Sequence, residues 1–326
     1  MLTAYTAARE RAAFLDRSSR GRIFLSGRDR ASYLQGLLTN DIAALRPGSG
    51  CYAAYLTAQG RMIADMFLYE IGDVMLMTVQ SDVKDTVLAR LDQFIFSEDV
   101  QLADATVTHA QLGIVGPDWV GVAAHILDPA TADGVRSLTE HGNLRGSLGG
   151  TPVIVTRTSD VGEPGFDLFL AAGDRDQALD VIRATGVPEL DDRSAETLRI
   201  EAGIPRFHQD MDEETIPLEA GIESRAISFT KGCYVGQEVI IRVLHRGHGR
   251  IARRLVGVRL DGTVVPPRGA RVHGGGKDIG HVTSAAWSER LNRPIALASV
   301  ARDFVESGTA ITIDGAPGTV TAVPFA

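Results

Sequence analysis

The sequence predicts an α+β protein of more than one domain, ending in a small β-barrel. Three observations carry that prediction. The chain has 326 residues, more than one hydrophobic core usually organises. Up to residue 244, strand-like and helix-like segments alternate, but tight hairpins join many of the strands. That favours α+β over a doubly wound parallel sheet. Beyond Arg250 the pattern changes to short strands separated by Gly and Pro turns, the mark of a small barrel. The boundary is expected near 245–255, giving regions 1–244 and 245–326.

Ala4 to Ala13 reads as a helix and Gly21 to Ser26 as a strand. Ser26 or Asp29 is placed to cap a second helix running to Leu38, where Tyr33, Leu34, Leu37 and Leu38 follow helical spacing. Cys51 to Leu56 and Met62 to Tyr69 flank Gln59-Gly60-Arg61, a hairpin turn. Val74 to Val79 is a further strand. Ser81 is a candidate cap for a helix ending near Phe94. Thr106 to Val115 returns as a strand. The segment from Asp118 to Gly150 is Gly-rich and loosely patterned, with one short helix expected near Thr131–His141.

Pro152 to Thr158 and Phe166 to Ala171 read as strands joined through Glu163-Pro164-Gly165, with Pro164 and Gly165 at the central positions of a type II turn. Asp174 to Ala184 is a helix, and Ser194 is a candidate cap for another from Ala195 to Ala202. Ile204 to Gly221 reads as a long polar loop. Its acidic cluster, Asp210, Asp212, Glu213 and Glu214, lacks the ligand spacing of an EF-hand and reads as solvated. Six short strands follow: Leu255–Leu260, Ala270–Val272, Gly280–Ala286, Ile295–Val300, Ala310–Ile313 and Gly318–Val323. No helix follows Gly274-Gly275-Gly276, so that run reads as a hairpin turn rather than a phosphate loop.

The stretch richest in chemistry is Lys231-Gly232-Cys233-Tyr234-Val235-Gly236-Gln237-Glu238. A lysine beside a cysteine lowers the thiol pKa below its free value of about 8.5 if its charge reaches the sulfur. Gln237 adds an amide and Glu238 a carboxylate. The same residues also suit a packed cysteine in a tight glycine turn. Cys233 and Lys231 are therefore the candidate catalytic residues, with the packed alternative open.

K-G-C-Y-x-G-Q-E, followed by Arg242 and then Arg246-Gly247, resembles the YgfZ-type folate-binding proteins. These are relatives of the glycine-cleavage T-protein, an aminomethyltransferase. Thr39-Asn40-Asp41 with Pro47-Gly48-Ser49-Gly50 is similar to another T-protein stretch, and Arg199 and Glu201 lie in a segment similar to a family helix. Read from residue type, Arg199 and Glu201 are surface or interdomain ion pairs. The resemblance implies three lobes around a central cleft that binds tetrahydrofolate. It also implies a role in maintaining iron–sulfur enzymes, with iron–sulfur client or assembly proteins as partners. The alternative is a folate-dependent one-carbon transferase.

Gly162-Glu163-Pro164-Gly165-Phe166-Asp167 is similar to the family stretch G-E-x-G-[aromatic]-E, whose first glutamate is expected to hold the pterin. That assigns Glu163. Where the family has a final glutamate, this chain has Asp167. Asp65, Arg242, Arg246, Gln237 and Tyr234 are the remaining candidates for holding folate. At Gly60-Arg61-Met62-Ile63-Ala64-Asp65 aminomethyltransferases carry G-G-x-[IL]-D-D. The first aspartate is expected near the carbon-accepting nitrogens, and Ala64 occupies its place. A methyl group moves no proton, so this departure points away from aminomethyl transfer.

Composition narrows the remaining classes. Apolar residues make up 44% and charged residues 23%, ordinary for a globular protein. No run approaches the ~20 apolar residues of a membrane span. The first residues, Met1-Leu2-Thr3-Ala4-Tyr5, do not read as a signal peptide, so the cytoplasm is expected. Cys51 and Cys233 form no disulfide framework and no Cys-x-x-Cys metal motif. The formal net charge of −8 argues against general nucleic-acid affinity. Locally the sign reverses. Between Arg225 and Arg254 the positive residues are Arg225, Lys231, Arg242, Arg246, Arg250, Arg253 and Arg254, against Glu238 alone. That run suits either a solvated face or an anionic ligand.

Overall fold

The computed structural model describes residues 3–245 and 251–325. In chain order the first region contributes β1 (Ala13–Asp16), β2 (Gly21–Ser26), β3 (Ser49–Leu56), β4 (Met62–Glu70), β5 (Met75–Val79), β6 (Gln101–Asp104), β7 (His109–Val115), β8 (Asn143–Leu148), β9 (Thr151–Thr158) and β10 (Gly165–Ala171). They form two five-stranded sheets. The first lobe is ordered β3-β4-β5-β2-β6 and the second β1-β7-β10-β9-β8. Every strand pair in them is antiparallel. The expected α+β class holds.

Each sheet buries one face under helices. In the first lobe Leu34, Val87 and Leu91 come from the helices Arg30–Leu37 and Lys84–Asp92, and they meet Met62, Ala64 and Met77 of the sheet. In the second, the helices Trp119–Ile126, Pro129–Arg136 and Arg175–Ala184 bring Val122, Val135 and Ile182 onto Leu112, Phe166 and Leu168. Each large apolar side chain so buried contributes about 1.5–3 kcal/mol.

The six C-terminal strands are β11 (Arg253–Leu260), β12 (Arg271–Gly274), β13 (Lys277–Ser288), β14 (Arg293–Ala301), β15 (Ala310–Ile313) and β16 (Ala316–Thr321). They close into a barrel in the order β11-β14-β13-β12-β15-β16. All six match expected strands, and Gly274 to Lys277 turns the β12–β13 hairpin. Among the described residues no helix is long and apolar enough to cross a membrane.

The barrel docks on the helix Asp192–Ala202 through a buried polar seam. Arg199 donates to Asp210 Oδ2 (2.7 Å), Glu196 Oε2 (2.9 Å) and Ser284 Oγ (2.8 Å). Asp210 also accepts from the Thr283 and Ser284 hydroxyls, each at 2.6 Å. Glu201 accepts from Tyr5, Arg9 and Ser288. Arg199 and Glu201 are therefore interdomain partners. Asp210 corrects the solvated-loop reading, because it is buried between lobes.

Several local expectations shift. The first helix stops at Glu10 and Ala13 opens β1. β6, β8 and the helix Trp119–Ile126 are additional elements. Asp191, not Ser194, caps the helix Asp192–Ala202 by accepting from the Ser194 amide at 2.9 Å. In the β9–β10 turn the left-handed residue is Gly162 (φ 90°), whereas Gly165 opens β10. A Cβ on Gly162 would come within 2.3 Å of Ala202 Cβ. The tip of this hairpin is thus pressed onto the helix Asp192–Ala202.

Candidate functional site in the central cleft

The first wall of the site is the β3–β4 hairpin. Its register pairs Tyr52 with Phe67, Ala54 with Asp65, and Tyr55 with Ala64. Side chains alternate across a strand, so Tyr52, Asp65 and Phe67 share one face and Tyr55 and Ala64 share the other. The latter face belongs to the core of the first lobe, where Ala64 is fully buried. The former lines a cleft of about 710 Å³, open solvent at its mouth included. This corrects the expectation at Ala64. Position 64 looks into the core, and the carboxylate that reaches the cleft, Asp65, is present.

The Tyr52 hydroxyl donates to Asp65 Oδ2 at 2.8 Å. Asp65 Oδ1 is buried with no hydrogen-bond partner among the other described residues. Burial raises the Asp65 carboxyl above its ordinary pKa, against the opposing pull of the Tyr52 hydroxyl, Arg20 and Arg225. Burial, with Asp65 beside it, also pushes the Tyr52 phenol well above 10. The Tyr52 and Phe67 rings lie 5.1 Å apart, and the Arg225 guanidinium sits 5.4 Å from the Tyr52 ring centroid.

The second lobe supplies the opposite wall with Glu140, His141, Ser159 and Asp160. The His141 ring stands 5.4 Å from Phe67. Asp160 is ion-paired to both Arg17 and Arg20. Burial works to raise its carboxyl, but the two arginines prevail and hold it at about 2. Asp167 is buried against Arg17 and Gln111, as part of the same ionic cluster. Arg199 and the segment Ile204-Pro205-Arg206 complete the lining. An aromatic shelf, an unsatisfied carboxylate and a rim of arginines suit a flat, hydrogen-bonding, anionic ligand.

Of the candidate catalytic and folate-holding residues named from sequence, Asp65 lines this cleft, joined by Arg225 of the basic run and by Arg199. Glu163 does not, and its assignment to the pterin is corrected. The hairpin tip turns it toward the N-terminal helix, where Arg9 ion-pairs with it, and it lines a separate cavity with Tyr5, Glu289 and Arg290. The role given to Lys231 is corrected as well. Its ammonium points inward and donates to the carbonyls of Gln35 (2.6 Å), Leu38 (2.7 Å) and Asn40 (2.9 Å), at the C-terminal end of the helix Arg30–Leu37. A cation there satisfies otherwise orphaned carbonyls. Burial lowers the Lys231 pKa to about 8. Tyr234 is also core, and burial pushes its phenol up to about 12.

Cys233 is free and exposed, so the packed alternative does not hold for it. Among the described residues the Gln237 side-chain amide donates to the Gly232 carbonyl, at 3.5 Å. Arg242 is exposed on the helix Gln237–His245. Arg246 lies outside the described residues. The loop carrying Cys233 nevertheless touches the site's scaffold. Gly236 (φ 85°) sits where a Cβ would approach the Thr57 carbonyl to 2.5 Å, and a Cβ on Gly60 would meet Val239 at 2.9 Å. The octapeptide is thus interlocked with the turn of the hairpin that carries Asp65.

Sequence reading missed Tyr52, Phe67, His141 and Arg206. Tyr52 and Phe67 were recoverable, because two-residue alternation places them on the face of Asp65. His141 and Arg206 arrive from distant segments and carry no local signal.

Two family models match the chain. The GCVT N-terminal domain covers residues 2–231. The glycine cleavage T-protein C-terminal barrel domain covers residues 253–325. The chain belongs to the glycine cleavage T-protein family. Within that T-protein family it is similar to the aminomethyltransferase of Streptomyces coelicolor, at 32% identity over 332 residues, covering 98% of this chain and 88% of that protein. The aminomethyltransferase of Rubrobacter xylanophilus is 32% identical over 321 residues, covering 98% and 84%. The solved aminomethyltransferase T of the glycine cleavage system from Bartonella henselae superimposes with a TM-score of 0.87 at 22% identity, covering 99% of this chain and 88% of that one. That likeness establishes the T-protein fold for the whole chain, barrel included.

Proposed function

We propose that this T-protein family member binds tetrahydrofolate, or a one-carbon derivative of it, in the central cleft. We further propose that it serves the assembly or repair of iron–sulfur enzymes with Cys233 as its reactive group. The observation that carries the folate reading is Asp65 Oδ1, a buried carboxylate oxygen with no partner among the other described residues, beside the Tyr52–Phe67 shelf. A 2-amino-4-oxo pterin ring presents N–H groups that such an oxygen accepts, each bond worth about 1.5–3 kcal/mol. Arg206 and Arg225 at the lining offer charge to the ligand's glutamate carboxylates. When bound, the folate would supply nitrogens that carry a one-carbon unit. The chain's own part is to bind and orient it.

Support for the accessory role comes from the K-G-C-Y-x-G-Q-E resemblance and from the exposure of its free cysteine. Asp65 favours a second reading, one-carbon transfer, since a cleft carboxylate is retained and the relatives are named aminomethyltransferases. The two separate in a strain lacking this protein. The accessory reading expects low aconitase-type [4Fe–4S] activity, restored by the wild type and not by Cys233→Ser. Full rescue by Cys233→Ser removes the cysteine from the account. Folate-dependent ammonia release on reconstitution with the other glycine-cleavage proteins would put the transferase reading in its place.

A further inference from the structure

Three polar side-chain atoms of the central cleft are buried with no hydrogen-bond partner among the described residues, and two of them, from different lobes, also lack a close ion pair. One is Asp65 Oδ1 on β4. The other is His141 Nδ1, on the chain between the helix Pro129–Arg136 and β8. Asp160 Oδ2, also in the cleft, is already ion-paired to Arg20. The Glu140 carboxylate stands 4.0 Å from His141 Nδ1, beyond hydrogen-bond reach. A buried polar atom left this way is destabilising until something completes it.

The backbone holds His141 in place deliberately. Its φ is 62°, a left-handed conformation uncommon for a residue with a side chain. Its amide donates to the Arg157 carbonyl at 3.1 Å. Its own carbonyl abuts Gly50, where a Cβ would come within 2.6 Å. The ring is tilted 43° to Phe67, which itself leans on Tyr52. Phe67 thus contacts both the Tyr52 and the His141 rings, and Tyr52 is hydrogen-bonded to Asp65. Burial lowers the His141 pKa, Arg225 acts in the same sense, and Glu140 and Asp160 oppose them. A neutral imidazole has one nitrogen that donates and one that accepts.

We propose that His141 is a ligand-reading residue of the cleft, hydrogen-bonding through its unpartnered nitrogen to the same fused heteroaromatic ring that Asp65 engages. The ligand class is a planar bicyclic heterocycle with donors and acceptors along its edge, a pterin. This rests on the folate reading and adds the second-lobe residue that selects the ring. The consequence is selectivity. His141 recognises the pterin and not the p-aminobenzoylglutamate tail.

The test uses the full chain and two ligands, tetrahydrofolate and p-aminobenzoylglutamate. His141→Asn is the first variant, because asparagine tolerates the left-handed backbone but is too short to replace the ring. His141→Gly is the second. Calorimetry is expected to show tetrahydrofolate affinity reduced by about tenfold or more, with the tail fragment bound as by the wild type. A smaller loss, or an equal loss for both ligands, overturns the proposal. The ¹⁵N resonance of His141 Nδ1 in the unmutated protein is expected to shift on saturation with tetrahydrofolate. It decides the matter even if neither variant folds, and an unmoved resonance refutes the contact. A wild type that binds no tetrahydrofolate overturns the folate reading itself. A wild type that binds while His141 is silent overturns this inference alone.

Discussion

Replacing Asp65 with asparagine should move ligand affinity and fold stability in opposite directions. The substitution keeps the size of the side chain and leaves an oxygen to accept from the Tyr52 hydroxyl. It removes the charge from Oδ1, the atom without a partner. Losing a charge-assisted bond of about 1.5–3 kcal/mol weakens tetrahydrofolate binding about 10- to 150-fold. Stability should respond otherwise. Burial raises the folded-state pKa of Asp65 above its ordinary 3.8. The folded protein then holds this proton more tightly than the unfolded chain, so stability falls as pH rises from about 3.8 through the raised value. Above that window the raised pKa is a net cost to the fold, which asparagine removes. Calorimetry and urea unfolding at pH 7 measure the two quantities on one sample. A variant that binds as the wild type does would refute the assignment. So would one that loses affinity only because it unfolds more readily.

Other substitutions probe the surrounding structure. Arg199→Met strips a buried guanidinium from Asp210 and Glu196 at the barrel seam, and urea unfolding should show a loss of about 3–5 kcal/mol; a loss within error would mean the seam is relaxed by water. Iodoacetamide at neutral pH should label exposed Cys233 first, while Cys51, buried and with its thiol pushed up to about 12, reacts only on unfolding; equal labelling rates would contradict this. His208 donates to Asp82 (2.7 Å) and Glu213 (2.9 Å) when protonated. Burial opposes its protonation, but the two carboxylates raise its pKa above 6.5. Its contribution is therefore complete below about 6.5 and fades as pH rises through the higher folded value. The urea midpoint should fall between pH 6 and pH 8.5 by more in the wild type than in His208→Gln, and equal falls would exclude the clamp.

Legibility from sequence followed how far each signal reaches along the chain. The barrel strands are regularly spaced and separated by Gly and Pro turns, so all six were readable. The β6 strand, Gln101–Asp104, is largely exposed and shows no alternation. The site was harder. Lys231 is next but one to Cys233 in sequence, yet its side chain runs the other way, to the end of the helix Arg30–Leu37. Sequence proximity says nothing about that direction. Ala64 and Asp65 are neighbours on one strand and face opposite ways, so the departure from the family motif at Ala64 leaves the cleft carboxylate in place. Glu163 was misplaced because the turn geometry hinges on Gly162 rather than Gly165.

The two sheets are threaded through each other along the chain. β1 leaves for the second lobe before β2 begins the first, and it pairs there with β7, Phe14 opposite Ile114. During synthesis at about 5–20 residues per second, β1 waits roughly 5–20 s for its partner to emerge. The whole first sheet is made in that interval. A fragment cut between the sheets would leave one of them without its edge, so residues 1–244 are expected to resist dissection into smaller units. The cleft inherits this constraint. Its wall on β4 leaves the ribosome early, but His141 and Asp160 come later, and the wall they belong to closes back onto the oldest strand of the chain.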